Sequence, residues 1–235
     1  MIDTIVPVTL AGFALGAVVM AAGSRRVSRD AARARWYKLA VYFVIVHVVL
    51  GAAALGRPWV LALLAVILAA GVRELGDAWG QMPRPRPVIL WPAFIAVAAA
   101  ALWNTARLPA TAFAFVFLAT AAADGFAQVD GQWLGRRPLA PKVSPAKTLE
   151  GFLGGLCAAG SVASFACVLI ERSPWEAAGI GVVVGIAGLA GDLSASWVKR
   201  RAGLKDYSSA LPGQGGFLDR FDSLLGALAL ASWLL

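Results

Sequence analysis

Charge is scarce in this sequence: Asp, Glu, Lys and Arg make up 14% of its 235 residues, while 60% are apolar. The apolar residues fall in long blocks instead of alternating with polar ones, and this excludes an ordinary soluble globule. Cysteine is also nearly absent. Cys157 and Cys167 lie within one apolar block, without the paired spacing of a zinc site or a redox dithiol, and read as packing residues. The single histidine, His47, sits inside another apolar block and reads as a packed or satisfied side chain. No internal repeat and no long low-complexity tail occurs, and nothing alternates as the strands of a membrane barrel would.

What the sequence has instead is apolar length. Eight blocks, at roughly 4–22, 37–55, 58–72, 88–104, 109–125, 150–170, 176–197 and 217–235, are candidates to cross the membrane. A run of about 18 residues suffices at ~1.5 Å rise per residue to cross most of a ~30 Å hydrocarbon layer. In lipid each backbone polar group must be satisfied within the protein, so these Ala-, Leu- and Val-rich blocks predict helices. The expected fold class is all-α, a polytopic integral membrane protein with about eight transmembrane helices. The first block is followed by a basic loop and not by a small-residue cleavage site, so it reads as a retained helix. Gln81 to Pro87, with prolines at 83, 85 and 87, reads as a stiff connector.

A net charge of +8 would suit nucleic acid, but its distribution points to a membrane. If the Arg-rich loop 23–36 is cytoplasmic, eight crossings place 18 of the 21 basic residues on that side, leaving only Arg57, Arg107 and Arg172 opposite. This is the positive-inside bias of a threaded polytopic protein. Both termini then face outward, and the outer loops are too short to carry polar chemistry. An excess of Arg over Lys fits a GC-rich bacterial genome, so the expected location is a bacterial cytoplasmic membrane with the site facing the cytoplasm.

Two polar stretches stand apart, and four of the five lysines lie in them: Lys142, Lys147, Lys199 and Lys205. A lysine ammonium is a compact charge suited to phosphate oxygens. In the second stretch Asp192, Ser196 and Lys199 are spaced to share one helix face. Glycines at 213, 215 and 216 then precede the last apolar block, where backbone N–H groups at a helix start favour an oxyanion. Asp219 and Asp222 place two carboxylates on one face of that helix. Carboxylates, lysines and a glycine nest on one membrane face form a phosphate-and-metal arrangement. It divides the chain into N-terminal transmembrane helices, 1–120, and a catalytic transmembrane region, 121–235, with two cytoplasmic motif loops.

The run from Ser196-Trp197-Val198-Lys199-Arg200 through Lys205-Asp206 to Leu211-Pro212-Gly213-Gln214-Gly215-Gly216-Phe217-Leu218-Asp219-Arg220-Phe221-Asp222 resembles the signature of the CDP-diacylglycerol synthases, or phosphatidate cytidylyltransferases. Ser144-Pro145-Ala146-Lys147-Thr148-Leu149-Glu150-Gly151 resembles a second segment of that family, Asp124 matches an acidic residue preceding it, and Arg73-Glu74 matches another element weakly. The resemblance implies transfer of cytidylyl from CTP to phosphatidate or a close lipid phosphate, with Mg²⁺, a second cation and a homodimer. On it we assign Asp192 and Asp219 as metal ligands, with Asp222 orienting a metal-bound water or Arg220. Lys199 and Lys205 would hold CTP phosphates, Gly215 and Gly216 would contact the transferred phosphoryl, and Ser144, Lys147 and Thr148 would close over the nucleotide. Ser196, Asp206, Gln214 and Arg220 complete the expected substrate contacts. Three departures bear on the lipid acceptor: Gln214 replaces the family's usual His, Ala195 its usual Glu, and Gly125 to Asp130 lacks the customary small-Ala-Tyr pattern. The alternative is a related membrane nucleotidyl- or phosphotransferase acting on a different lipid or polyprenyl acceptor.

Overall fold

The computed structural model describes residues 9–10, 13–14, 17–18, 21, 28–211 and 214–235. Most of the first expected span, 4–22, lies outside these residues, as do Pro212 and Gly213. The described chain runs through helices α1 (Arg29–Leu55), α2 (Arg57–Gln81), α3 (Leu90–Arg107) and α4 (Ala110–Leu134). A two-stranded hairpin follows, β1 (Pro138–Ala140) and β2 (Ser144–Thr148), then α5 (Leu149–Phe165), α6 (Pro174–Arg201) and α7 (Leu218–Leu234).

Local chemistry sets the helix ends. Thr148, extended at the end of β2, caps α5 by accepting from Gly151 N at 3.1 Å. Ser173 and Glu176 form a reciprocal capping box that opens α6. At the other end of α6, Leu204 N donates to Lys199 O and Gly203 N to Arg200 O, with Gly203 at φ 72°. This Schellman closure needs the left-handed backbone that glycine adopts without steric cost.

The protein is an all-α membrane protein. Among the described residues, four helical stretches are long and apolar enough to cross a membrane: Trp36–Leu55, Arg57–Gln81, Ala110–Leu134 and Pro174–Arg201. The remaining helices are shorter, α5 and α7 having 17 residues each and α3 having 18. The fifth block, expected to end at 125, continues as helix to Leu134, and two further details differ from the sequence-based expectation. The third block, expected to end at 72, continues as helix to Gln81, because Glu74 and Leu75 are buried and the charged residues beyond position 72 do not break it. The hairpin interrupts an otherwise helical chain, pairing Pro138 with Thr148 and Ala140 with Ser144 across a tight turn.

Small residues let these helices approach closely, as they do where lipid supplies no hydrophobic drive for association. Gly151 and Gly155 of α5 lie against the Gly131 backbone and the Ala123 carbonyl of α4. Gly191 of α6 lies against Gly226 and the Asp222 carbonyl of α7, bringing Asp192 and Asp222 to one level. Buried Asn104 of α3 donates to the carbonyls of Leu228 and Ala229, at 2.8 and 3.1 Å, and ties the far end of α7 into the bundle. Phe115, Leu64, Ile67, Leu75 and Leu228 fill the core, while Trp133, Trp175 and Trp233 stand more than four-fifths exposed, as interfacial aromatics do.

Candidate active site

A cavity of about 1130 Å³ opens where α1, α5 and α7 begin and where α4 and α6 end. Its wall carries Lys38 and Tyr42 from α1, Asp124 and Gln128 from α4, Ser144, Lys147 and Thr148 from β2, and Asp192 and Lys199 from α6. The segment between α6 and α7 adds Lys205, Asp206, Gln214 and Gly215, and α7 adds Asp219, Arg220 and Asp222. Up-and-down threading explains the convergence: polar residues at the starts of some helices and the ends of others share one end of the bundle.

Two lysine–carboxylate pairs organise the site. Lys199 Nζ lies 2.6 Å from Asp219 Oδ1, and both side chains are buried. The other oxygen, Asp219 Oδ2, accepts from Tyr207 N at 2.7 Å and Gly216 N at 2.8 Å. Asp219 thereby holds both ends of the connection from α6 to α7. The second pair joins Lys147 of β2 to Asp192 of α6, and the other Asp192 oxygen accepts from Ser196 Oγ at 3.2 Å. The expected stripe of Asp192, Ser196 and Lys199 is present, but its two charged members pair outward with different elements.

Tyr207 backs the first pair. Its ring centre lies 5.4 Å from Lys199 Nζ and its hydroxyl donates to Ala195 O at 3.2 Å. Burial, with the carboxylates of Asp222, Asp219 and Glu74 nearby, pushes its phenol well above the usual value and keeps it a donor. Gly215, at φ 83°, forms a bridge with Leu211, and Gly215 lies close enough that a Cβ there would meet Asp219 Oδ2 at 2.8 Å. Buried Gln214 donates from Nε2 to the Lys38 carbonyl at 3.0 Å.

Other expected contacts are divided. Ser144, Lys205, Asp206 and Arg220 line the cavity, the last three of them exposed to it. Thr148 lines it too, although its hydroxyl is already engaged in capping α5. Gly216 faces away from the cavity lining, towards Glu74 and Asp219. Arg200 spans the site's edge, donating to Val143 O at 3.3 Å and Leu204 O at 3.0 Å, and so ties the hairpin turn to the end of α6.

Oxygen donors of the kind a hard divalent cation takes, Asp124, Asp192 and Asp222, face the same cavity, and in chemistry they fit Mg²⁺. Among the described residues no three His, Cys, Asp or Glu side chains are gathered as a ready-made metal set. Of the two expected ligands, Asp192 and Asp219, each has a lysine on one oxygen.

The sequence offers Glu74 only as a weak match two residues beyond the third apolar block, although a carboxylate in a helix this apolar is a signal in its own right. Glu74 is 5% exposed, and both its oxygens are used: Oε1 accepts from Ser208 Oγ at 2.6 Å and Phe217 N at 3.0 Å, and Oε2 from Leu218 N at 2.8 Å. No motif marks Lys38, whose backbone carbonyl and place on the cavity wall have no signal in the sequence.

Residues 87–235 match the model of the cytidylyltransferase family. The chain is 38% identical over 120 residues to the phosphatidate cytidylyltransferase of Mycobacterium tuberculosis strain H37Rv, covering 51% of this chain and 36% of that protein. It is 39% identical over 123 residues to the phosphatidate cytidylyltransferase of Staphylococcus aureus strain COL, covering 52% of this chain and 47% of the relative. The matched stretch thus spans less than half of either relative's length.

Proposed function

The chain belongs to the cytidylyltransferase family, and on that premise we propose that it transfers the cytidylyl group of CTP to phosphatidate, or to a close lipid phosphate, giving CDP-diacylglycerol and pyrophosphate. A phosphatidate oxygen forms the new bond to the α-phosphorus of CTP, and the bond from that phosphorus to the bridging oxygen of the β-phosphate breaks. The nucleophile is already anionic, so no strong base is required. The barrier lies in bringing anions together and in the charge on the leaving pyrophosphate.

The observation that carries this reading is the pair of lysine–carboxylate contacts, Lys147–Asp192 and Lys199–Asp219, set in one cavity at the start of α7. Each lysine would exchange its carboxylate for a phosphate oxygen of CTP, with Lys205 and Arg220 adding positive charge at the rim. Asp192 Oδ2 and Asp219 Oδ1 would then be free to hold Mg²⁺, with Asp222 beside them and a second cation within the same set. When bound, the cation neutralises phosphate oxygens and offsets charge on the leaving group. Ser144 and Thr148 border the nucleotide, while the apolar wall of Leu39, Ile45 and Phe117 faces the lipid part of the acceptor.

The proposal includes eight crossings with the loop 23–36 in the cytoplasm, a site open to the cytoplasm, and a homodimer. The deciding experiment incubates the purified protein with radiolabelled CTP, Mg²⁺ and a panel of lipid phosphates, then separates products by chromatography. Labelled CDP-diacylglycerol from phosphatidate is the expected product. Label appearing only with a polyprenyl or other lipid phosphate would replace it with the alternative acceptor to which Gln214 and Ala195 point.

A further inference from the structure

We propose that Glu74 of α2 is a positioning residue for cytidylyl transfer, clamping the start of α7 so that Asp219 and Asp222 face the cavity. This rests on the reading of the cavity as the transfer site. Glu74 lies outside residues 87–235, those that the family model covers, and apart from the weak Arg73-Glu74 resemblance the first helices are marked only by their hydrophobicity.

The geometry is specific. The first N–H groups of a helix have no partner within it, and on α7 two of these, Phe217 N and Leu218 N, go to the two oxygens of Glu74. Phe217 itself has no capping side chain, so the carboxylate arrives from a helix far away in sequence. Ser208 Oγ gives Glu74 a third donor and in turn accepts from Ala210 N at 3.2 Å, which carries the clamp into the connecting segment. Gly216 makes the approach feasible, since a Cβ there would collide with the Glu74 carboxyl group. Asp219 reaches back to Gly216 N and Tyr207 N, so Glu74 and Asp219 hold the same turn from opposite sides. Three donors converge on an acceptor-only group here. Glutamine has the same shape but would turn its NH₂ towards at least one of these donors.

That mismatch supplies the test. Wild type, Glu74→Gln, Glu74→Ala and Ser208→Ala are purified in detergent. They are compared for kcat, for KM of CTP, for the Mg²⁺ concentration giving half-maximal rate, for thermal unfolding, and for hydrogen exchange of peptides covering 208–220. Glu74→Gln is expected to lower kcat about 10- to 100-fold, the cost of a charge-assisted hydrogen bond becoming a donor–donor contact. It should also raise the half-saturating Mg²⁺ concentration and accelerate exchange in 208–220, while exchange in 110–134 is unchanged. Ser208→Ala should produce a smaller change in the same direction. A packing role alone would be rescued by the isosteric glutamine. Glu74→Gln with wild-type kcat and Mg²⁺ response, or with lowered melting temperature as its only change, would overturn the proposal. Exchange is read without turnover, so unaltered protection of 208–220 in Glu74→Gln refutes the clamp even if the wild type transfers cytidylyl to nothing. A wild type inactive on every acceptor, with exchange accelerated as expected, removes the transfer reading and leaves Glu74 as the clamp of α7.

Discussion

Lys199 and Asp219 face each other at 2.6 Å across the junction of α6 and α7, and the same carboxylate accepts two backbone N–H groups from the segment joining those helices. One side chain therefore fixes the shape of the site and presents an exchangeable cation to it. Removing one partner of a buried pair leaves the other uncompensated, at a cost of about 3–5 kcal/mol. Asp219→Asn is expected to lower turnover by at least about 100-fold and also to lower the melting temperature in detergent. Initial rates at saturating CTP, paired with thermal unfolding, check this; full activity would remove Asp219 from the machinery.

The second pair makes a separable prediction. Lys147→Ala should raise the KM for CTP about tenfold or more, since a lost charge-assisted contact costs about 1.5–3 kcal/mol. Lys205→Ala should weaken CTP binding similarly, while Arg201→Ala, absent from the cavity wall, should change little. Equal effects from all three would mean that local charge, and no specific contact, governs binding. Steady-state kinetics over a range of CTP concentrations distinguishes the cases.

Activity should require a divalent cation, because Asp124, Asp192 and Asp222 bring carboxyl oxygens, the donors a hard cation takes, to a cavity that must accept a triphosphate. Excess chelator should remove at least nine-tenths of the rate, by the order of charge stabilisation a metal ion gives. Restoration by Mg²⁺ titration is the measurement. A rate that survives chelation counts against the proposed ligands.

Gln214 donates to the Lys38 carbonyl, a role that a neutral imidazole N–H also fills. Gln214→His should keep substantial activity, and Gln214→Leu should lose most of it by removing the bond that ties this segment to α1, at about 0.5–1.5 kcal/mol. The amide does not titrate near neutral pH, so only the histidine variant should show a new inflection near pH 6–7 in its rate profile. An inactive wild type beside an active Gln214→His would place a proton-transfer requirement at this position.

Topology is checked by cysteine labelling in a background lacking Cys157 and Cys167. Trp133 and Arg172 are suitable sites because both are exposed. Trp133→Cys should react only from the cytoplasmic side and Arg172→Cys only from outside. Labelling of both from one side would eliminate the proposed threading.

The sequence by itself determined the membrane class, the helical character of the apolar blocks among the described residues and the two polar stretches, because hydrophobic length, helix spacing and gapless motifs are local properties of the chain. It placed Asp192 and Ser196 on one helix face, and they meet there at 3.2 Å. It ended the third block at 72, since charges at 73, 74 and 77 lower hydropathy; burial of Glu74 in the bundle carries that helix on to Gln81. Only the tertiary structure decided which lysine meets which carboxylate. It also set the pairing of Gln214 with a carbonyl 176 residues away and the reach of Glu74 to an amide 144 residues away. These choices depend on how closely helices approach along seams such as Gly191 against Gly226, and on an empty Cβ position at Gly216. Such distances are set by packing between segments remote in sequence, so no periodicity along the chain encodes them.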